Sequence, residues 1–387
     1  MKVALVNNRF SSSHGGLERF ACNLARALMS NGHEVHLFAQ SIENVPAGAW
    51  QHQIRVPRKP AFLRIWSFAS KVRSAIQKED FDIVYGLTRT VPLDIYRMGD
   101  GVQRHWLALR YPQTWWRWLN CFVNLTHALN LYLEKQVFHP SNCQMWVSNS
   151  RLCQDHAVRY LNVERERVRV IYNGVDHAQF NPRTARTNRD LIRQNYGIDK
   201  EDIAIVFVAH NWHRKGLAVL LRAMARLGQA GGHLHLFVVG RGKPAQFDTL
   251  IRGLALSQRV HFVGATHDVV DYYGAGDLFV LPTQYDPFSN VCLEAMACGL
   301  PVITTMENGA AEVVAQGTSG FLQENPDSDE ELAKWLEQCL DREKLKEMGE
   351  RAEETSRAFT LERNLEETLA LFRQIAAEKG ADKDARL

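Results

Sequence analysis

The chain reads as an α/β protein of two doubly wound, Rossmann-like domains. Three observations predict this. Short apolar runs alternate with stretches whose apolar residues recur at helical spacing, the rhythm of a mostly parallel sheet with helices on both faces. The rhythm lapses in a polar stretch from Asn181-Pro182 through Asn188 and then restarts. At about 150 residues per domain, 387 residues suit two or three domains, each able to bury a core without a disulfide or metal staple.

In the first half, Val3–Val6 is a short apolar run and therefore a buried strand. Gly16–Ser30 carries Leu17, Phe20, Ala21, Leu24 and Leu28 at helical spacing, and Asn31-Gly32 ends that helix. Glu34–Ala39 is the next strand, Leu63–Ile76 an amphipathic helix and Ile83–Tyr85 a strand. Met145–Val147 and Val168–Ile171 are strands with a helix between them. In the second half, Ile203–Val208, Leu234–Val239, Val260–Phe262, Leu278–Leu281 and Val302–Thr304 read as strands. Helices at Leu217–Leu227, Phe247–Ala255, Val291–Cys298 and Glu331–Leu340 lie between or after them. The predicted division is residues 1–182, residues 183–360 and a helix from 361, free to cross back to the first domain, with a frayed charged tail. Two such domains imply a ligand cleft between them, at the carboxyl ends of the strands.

Composition excludes several classes. With 45% hydrophobic and 23% charged residues the chain is neither disordered nor collagen-like. No run of about 18 apolar residues exists to cross a membrane. Met1–Asn7 is too short and too soon polar for a signal peptide. Seven cysteines without a C-x-x-C pair suggest reduced thiols in a cytoplasmic protein. The net charge of +3 hides a division: residues 1–182 hold 22 Lys+Arg against 13 Asp+Glu, and residues 183–387 hold 24 against 30. A basic half suits nucleic acid, an anionic membrane surface or a phosphorylated substrate. Nucleic acid is disfavoured, because no known binding module is present and the second-half motifs would go unexplained. A nicotinamide enzyme is disfavoured too, since no G-x-G-x-x-G follows the first strand.

The strongest segment is Asp286-Pro287-Phe288-Ser289-Asn290-Val291-Cys292-Leu293-Glu294, running through Ala295-Met296-Ala297-Cys298-Gly299 to Pro301-Val302. A loop at Phe288–Val291 opening a helix offers backbone N–H groups to an anion or sugar hydroxyls. Glu294, one turn in, can accept hydrogen bonds from a diol. The plainer reading is an N-cap aspartate and a solvated helix glutamate. Arg214-Lys215 sits between a strand and a helix, where a cation opposes the helix dipole, a local conflict that favours function. Such fixed cations would stabilise a leaving diphosphate.

This segment resembles the E-x7-E signature of the retaining glycosyltransferases of family 4, which have the GT-B fold. The match keeps Pro287, Phe288, Glu294 to Gly299, Pro301 and Val302, whereas Asp286 stands for the first glutamate and Ser289 for a glycine. The resemblance gives Glu294 the nucleotide ribose and Asp286 the donor sugar. It extends in order to Gly15-Gly16 beside the donor phosphates, Asn173-Gly174-Val175-Asp176 as linker, and Arg214-Lys215 on the diphosphate. Gly240 in the Val239-Gly240-Arg241-Gly242 turn follows, then Val263, His267 and Val269 around the base. Phe288, Ser289, Asn290 and Val291 complete the donor set. Within the family, the first half is most like the lipopolysaccharide core glucosyltransferase I branch. Leu93–Asp100 is similar to its segment ending in an active-site aspartate, which makes Asp100 a candidate for acceptor chemistry; a turn aspartate before Gly101 is the equal alternative. That branch often has an aspartate where this chain has Phe20.

The resemblance implies a metal-independent hexosyltransferase without a cofactor, moving a sugar from a nucleotide-sugar donor, a UDP-hexose such as UDP-glucose, to a lipid-linked saccharide acceptor of the lipopolysaccharide core. Retention implies front-face attack. A catalytically inactive GT-B scaffold, or a nucleotide-binding protein at the membrane, is the alternative that Asp286 keeps open. No metal is expected: Asp80-Phe81-Asp82 and Asp327-Ser328-Asp329 have local explanations, and the 15 histidines show no ligand spacing. Trp106, Trp115, Trp116 and Trp118, interleaved with Arg104, Arg110 and Arg117, suit a lipid headgroup layer. A second basic stretch flanks Phe62, Ile65, Trp66 and Phe68. These features imply an anionic membrane surface on the inner face of the cytoplasmic membrane; packing of the rings against the first domain is the competing reading.

Overall fold

The computed structural model describes residues 1–11, 16–111, 113, 115 and 124–384. The chain divides into two units, Met1–Tyr172 with Glu362–Leu387, and Asn173–Leu361. The break falls before Asn173 rather than at residue 182. Val175 donates its N–H to Phe359 O and bridges to Thr360, and Asn173 Nδ2 donates to Asn290 Oδ1 at 2.6 Å, so this stretch is held by the second unit.

The first unit contains β1 (Lys2–Val6), β2 (Arg9–Ser11), β3 (Glu34–Ala39), β4 (Ser41–Glu43), β5 (Trp50–Gln53), β6 (Ile83–Gly86), β7 (Leu93–Arg97), β8 (Cys143–Ser148) and β9 (Val168–Val170). Seven of these form one parallel sheet in the order β5-β3-β1-β6-β7-β8-β9, while β2 and β4 pair separately. A strand buried on both faces needs apolar residues at every position, which is why Val3-Ala4-Leu5-Val6 is an unbroken run. Val3 and Leu5 meet Leu24 and Leu28 of the helix Gly16–Ser30 and Phe372 and Ile375 of the last helix, Leu361–Asp384. Ala4 and Val6 face the opposite core, with Phe68 and Val72 of the helix Ala61–Ile76 and Cys153 and Ala157 of Arg151–Leu161.

The second unit contains β10 (Ile203–Val208), β11 (Leu234–Val239), β12 (Val260–Gly264), β13 (Leu278–Leu281), β14 (Val302–Thr305) and β15 (Gly320–Gln323), parallel in the order β12-β11-β10-β13-β14-β15. Here the chain winds outward from β10 in one direction and returns to add β13 on its other side. The strand order therefore reverses between β10 and β13, the switch point at which loops diverge and leave a crevice outside the carboxyl ends. The same reversal lies between β1 and β6 in the first unit.

Several elements go beyond the sequence reading: β2, β4, β5, β7, β15 and the helices Gln103–Arg110, Leu125–Val137 and Arg342–Ser356. The pairing of β3 with β5 also corrects the view of the histidines. It brings His36 Nδ1 to 2.9 Å from His52 Nε2, with Glu79 at the same spot, a cluster that linear spacing does not reveal. Its members are already bonded: His36 Nε2 meets Glu34 at 2.7 Å and Glu79 pairs with Lys2 at 2.8 Å. The six described cysteines are all buried.

Candidate active site

The site grows from the switch point of the second unit. The loop after β10 carries Arg214 and Lys215, and the loop after β13 carries Asp286 to Ser289. Two features press these loops together. Gly216 has φ +82° and abuts Pro282, so that a Cβ would run into Pro282 O; only glycine fits this left-handed close approach. Gln284 N donates to Arg214 O at 2.9 Å, and Arg214 Nη1 donates to Tyr285 O at 3.2 Å.

The result is a buried polar cluster. Lys215 is 9% exposed, and its ammonium pairs with Asp286 Oδ2 and donates to Ser289 Oγ at 3.1 Å. Asp286 Oδ1 accepts the Phe288 N–H at 3.0 Å, and Ser289 N donates to Asn308 Oδ1 at 3.1 Å. Asp286 is therefore not the N-cap that the plainer reading expects. The helix it precedes is Asn290–Ala297, and its N-cap Ser289 turns its hydroxyl to Lys215 instead of to the helix. Of the four N–H groups expected to face a ligand, those of Phe288 and Ser289 are spent inside the protein. Those of Asn290 and Val291 open the helix and have no intrahelical acceptor.

Burial alone pushes the Asp286 carboxyl up, but the Lys215 ammonium, hydrogen bonds from Lys215 and Ser289, and Arg214 outweigh it and hold the group below the ordinary aspartate value. A depressed carboxylate contributes stability that is present above its unfolded value, about 3.9, and lost as pH falls through the folded value. Asp286→Asn is therefore expected to be less stable than the parent from neutral pH down to about pH 4, with the difference shrinking in stronger acid. Urea unfolding of both chains across that range checks this; a pH-independent difference would mean that charge plays no part in the pair.

Glu294 is 8% exposed and accepts a hydrogen bond from the Tyr273 hydroxyl at 3.0 Å. Tyr273 is itself fully buried, on the helix Val269–Ala275, so the helix that Val269 opens is tied to the helix that bears Glu294. Val263 lies in β12 next to its last residue, Gly264, whose carbonyl accepts the Gly240 N–H at 2.7 Å; Gly240 itself has φ +117°. His267 is exposed in the turn ahead of that helix. Thus Arg214, Lys215, Asp286 and Ser289 are gathered at the head of the helix that bears Glu294.

Three contributors escaped the sequence reading. Asn308 takes the Ser289 and Ala310 N–H groups and donates to Thr304 Oγ1 at 2.9 Å. Its only linear signal is the Asn-Gly pair ahead of a helical turn. Tyr273 has none, because its partner Glu294 is distant in sequence. His210, between β10 and Arg214, is held below its usual value by burial, then Arg241 and Lys215, which keeps it neutral near these cations.

The remaining sequence-predicted residues belong to the first unit. Asp100 is exposed in a turn closed by Gly101 N to Met98 O at 3.1 Å, with Gly101 at φ +70°, as the turn reading expects. That turn follows β7 and lies against the start of the helix opened by Gly16: a Cβ on Gly99 would stand 3.3 Å from Leu17. Where the resembled branch often has an aspartate, the Phe20 ring instead carries the buried Arg97 guanidinium at 4.3 Å. Arg104 donates to Tyr160 O at 3.2 Å, and Trp106 is half-buried, so these two are partly structural. Glu134, fully buried, accepts the Gln103 and Arg104 N–H groups at the head of the helix Gln103–Arg110 and faces Arg89 at 3.6 Å. Arg110 and Trp115 are exposed. Gly15, Trp116, Arg117 and Trp118 lie outside the described residues.

Two parallel doubly wound sheets, the second with its switch point between β10 and β13, are the architecture of the GT-B fold. The description glycosyl transferases group 1 matches residues 188–355 and glycosyltransferase family 4 matches residues 14–179, so the chain carries these two GT-B glycosyltransferase domains. It is 26% identical over 331 residues to lipopolysaccharide glucosyltransferase WaaG of Escherichia coli (strain K12), covering 84% of this chain and 86% of that protein. The crystal structure of WaaG, a glycosyltransferase involved in lipopolysaccharide biosynthesis, superposes with a TM-score of 0.81 at 23% identity, covering 96% of this chain and 99% of that one. Anabaena Alr3699/HepE in complex with UDP-glucose shares the fold with a TM-score of 0.70 at 21% identity, over 98% of this chain and 100% of that one.

Proposed function

We propose that the protein is a retaining, metal-independent hexosyltransferase that moves a sugar from a UDP-hexose to a hydroxyl of a lipid-linked saccharide, of the lipopolysaccharide core type. The observation that carries this reading is the Lys215–Asp286–Ser289 cluster at the head of the helix bearing Glu294. Arg214 and Lys215 would meet the diphosphate, Glu294 the ribose, and Asp286 the donor sugar. The reaction breaks the bond from C1 to the β-phosphate oxygen. The acceptor oxygen bonds to C1 from the same face, and its proton passes to the departing phosphate. Charge grows on the leaving diphosphate, where two fixed cations act without reorganising. That supports transfer without a divalent ion or other cofactor. The similarity to WaaG and to a protein that binds UDP-glucose supports the donor and acceptor class. A panel of nucleotide sugars, assayed for binding and turnover with and without chelator, tests this. A catalytically inactive scaffold would bind and not turn over.

The acceptor is lipid-linked, so the protein would work at an anionic membrane surface, on the inner face of the cytoplasmic membrane. No helix among the described residues is long and apolar enough to cross a membrane, so attachment would be peripheral. The first unit offers exposed apolar side chains among cations: Leu63 and Trp66 at 40% and 58% on the helix Ala61–Ile76 beside Arg64, and Trp115 at 61%. Leu125 and Tyr132 are exposed on the helix Leu125–Val137, which packs against Ala61–Ile76. Rings with interleaved cations suit the headgroup layer. Trp66→Ser with Trp115→Ser is expected to lower binding to anionic vesicles while donor hydrolysis survives, and high salt should weaken the parent's binding. Co-sedimentation at two ionic strengths measures both; no binding at low salt would turn the reading to a water-soluble acceptor.

A further inference from the structure

A cavity of ≈290 Å³ opens in the second unit. Its walls include Gly276 and Asp277, just before β13, and Gly299 and Leu300, just before β14. It therefore lies at the amino ends of the strands, away from Lys215 and Asp286 at their carboxyl ends.

The cavity is cationic. Arg186, Arg189, Arg342 and Lys346 line it, against Asp277 and Glu343. Two of the four cations have structural duties. Arg189 donates to Gly274 O and Gly276 O, both at 2.7 Å, and pairs with Asp277 at 2.6 Å. Those carbonyls end the helix Val269–Ala275, so Arg189 cancels its negative end. Arg342 donates to the carbonyls of Lys200 and Asp202. Asp277 is neutralised a second time by Arg193 at 2.9 Å. The Arg186 guanidinium and the Lys346 ammonium are exposed at the mouth of the cavity and make no hydrogen bond or ion pair among the described residues. A Cβ on Gly299 would stand 3.9 Å from Arg186 Nη2, which puts this guanidinium at the cavity wall. The helix Arg342–Ser356 begins at the same place, but its Glu343 and Lys344 N–H groups are already taken by the Asp341 carboxylate, so the ligand would be held by side chains.

The cavity also touches the donor site through one residue. Tyr273 lines it, and the Tyr273 hydroxyl holds Glu294 at 3.0 Å. The helix Asn290–Ala297 runs between the two places, with Ser289 and Asn290 at one end and Cys298 and Gly299 at the other.

We propose that this cavity is an effector site for a small phosphate ester, held by Arg186 and Lys346 and coupled to nucleotide binding through Tyr273 and Glu294. A guanidinium and an ammonium with no other partner match a phosphate dianion. The volume suits a small phosphorylated metabolite and falls short of the usual range for larger ligands. The coupling rests on the reading of Glu294 as the ribose carboxylate; the anion site does not.

The test uses the full chain at low ionic strength, with inorganic phosphate as probe and the donor site saturated with UDP. Calorimetry is expected to show millimolar phosphate binding that Arg186→Ala with Lys346→Ala weakens at least tenfold, while basal transfer is unchanged. Lack of binding, or binding that ignores the double substitution, overturns the site. UDP affinity, measured with and without phosphate, is expected to change at least twofold. The change should vanish in the double variant and in Tyr273→Phe, since coupling between sites is reciprocal. Phosphate binding without a shift in UDP affinity overturns the effector role. If Glu294→Gln leaves UDP affinity unaltered while phosphate still binds, the donor-site reading fails and the anion site stands.

Discussion

Lys215→Ala is expected to lower kcat by roughly 10²–10³-fold, with a smaller change in the Michaelis constant for the donor. The ammonium is nearly buried and held by Asp286 and Ser289, so it is oriented before any donor arrives. An oriented cation stabilises charge that grows in the transition state more than charge already present in the ground state. The substitution has a second effect. It leaves the largely buried Asp286 carboxylate without its main partner, close to where a diphosphate would sit, which adds repulsion. Steady-state kinetics with the preferred nucleotide sugar, and thermal melting as a control for folding, measure this. Normal turnover with only weaker donor binding would assign the pair to ground-state binding.

Glu294→Gln is expected to weaken UDP binding by about 1.5–3 kcal/mol, the value of hydrogen bonds to a charged acceptor. That is roughly a 10- to 150-fold rise in the dissociation constant. The amide is isosteric and still accepts from the Tyr273 hydroxyl, so the helix should keep its place. Calorimetry with UDP reads the effect directly. Unchanged affinity in a folded variant would remove Glu294 from the site.

How far the chain could be read before its structure depended on where each signal comes from. Ile203–Val208 and Leu234–Val239 are strands buried in mid-sheet, and burial on both faces writes an apolar run into the sequence. Trp50–Gln53 is an edge strand of mostly exposed polar residues, held by backbone pairing to β3, and nothing in its side chains announces it. Leu93–Arg97 was hidden differently. Its Asp94 looks wrong for a strand, yet it accepts the Val84 N–H at 2.7 Å and pairs with Lys379 at 2.9 Å, a partner far along the chain. The helix Arg342–Ser356 is so rich in charge that its buried Leu345, Met348 and Ala352 barely show as a face. In the site, Arg214 and Lys215 were legible because they sit at a strand-to-helix junction, where a cation opposes the helix dipole, and Glu294 because it stands in the segment that resembles the family signature. The contact between Lys215 and Asp286 was not, since it depends on β10 and β13 becoming neighbours. The same holds for Tyr273 and Asn308.

The last helix has a consequence for how the protein is made. Leu369, Phe372 and Ile375 complete the core over Leu5, Ile83 and Tyr85, and Lys379 donates to the Phe81 and Asp82 carbonyls. Each such apolar side chain contributes about 1.5–3 kcal/mol when buried. The first sheet therefore leaves the ribosome with that face covered only in part, by the helix Gly16–Ser30, and the rest of its cover follows only after the second unit. At 5–20 residues per second, the intervening stretch of roughly 190 residues takes on the order of 10–40 s to translate. Asn173–Leu361 is continuous and can close as soon as it emerges. The part translated first is thus the part that finishes last, and during synthesis the bare part of that face, around Tyr85, is the surface a chaperone would have to guard.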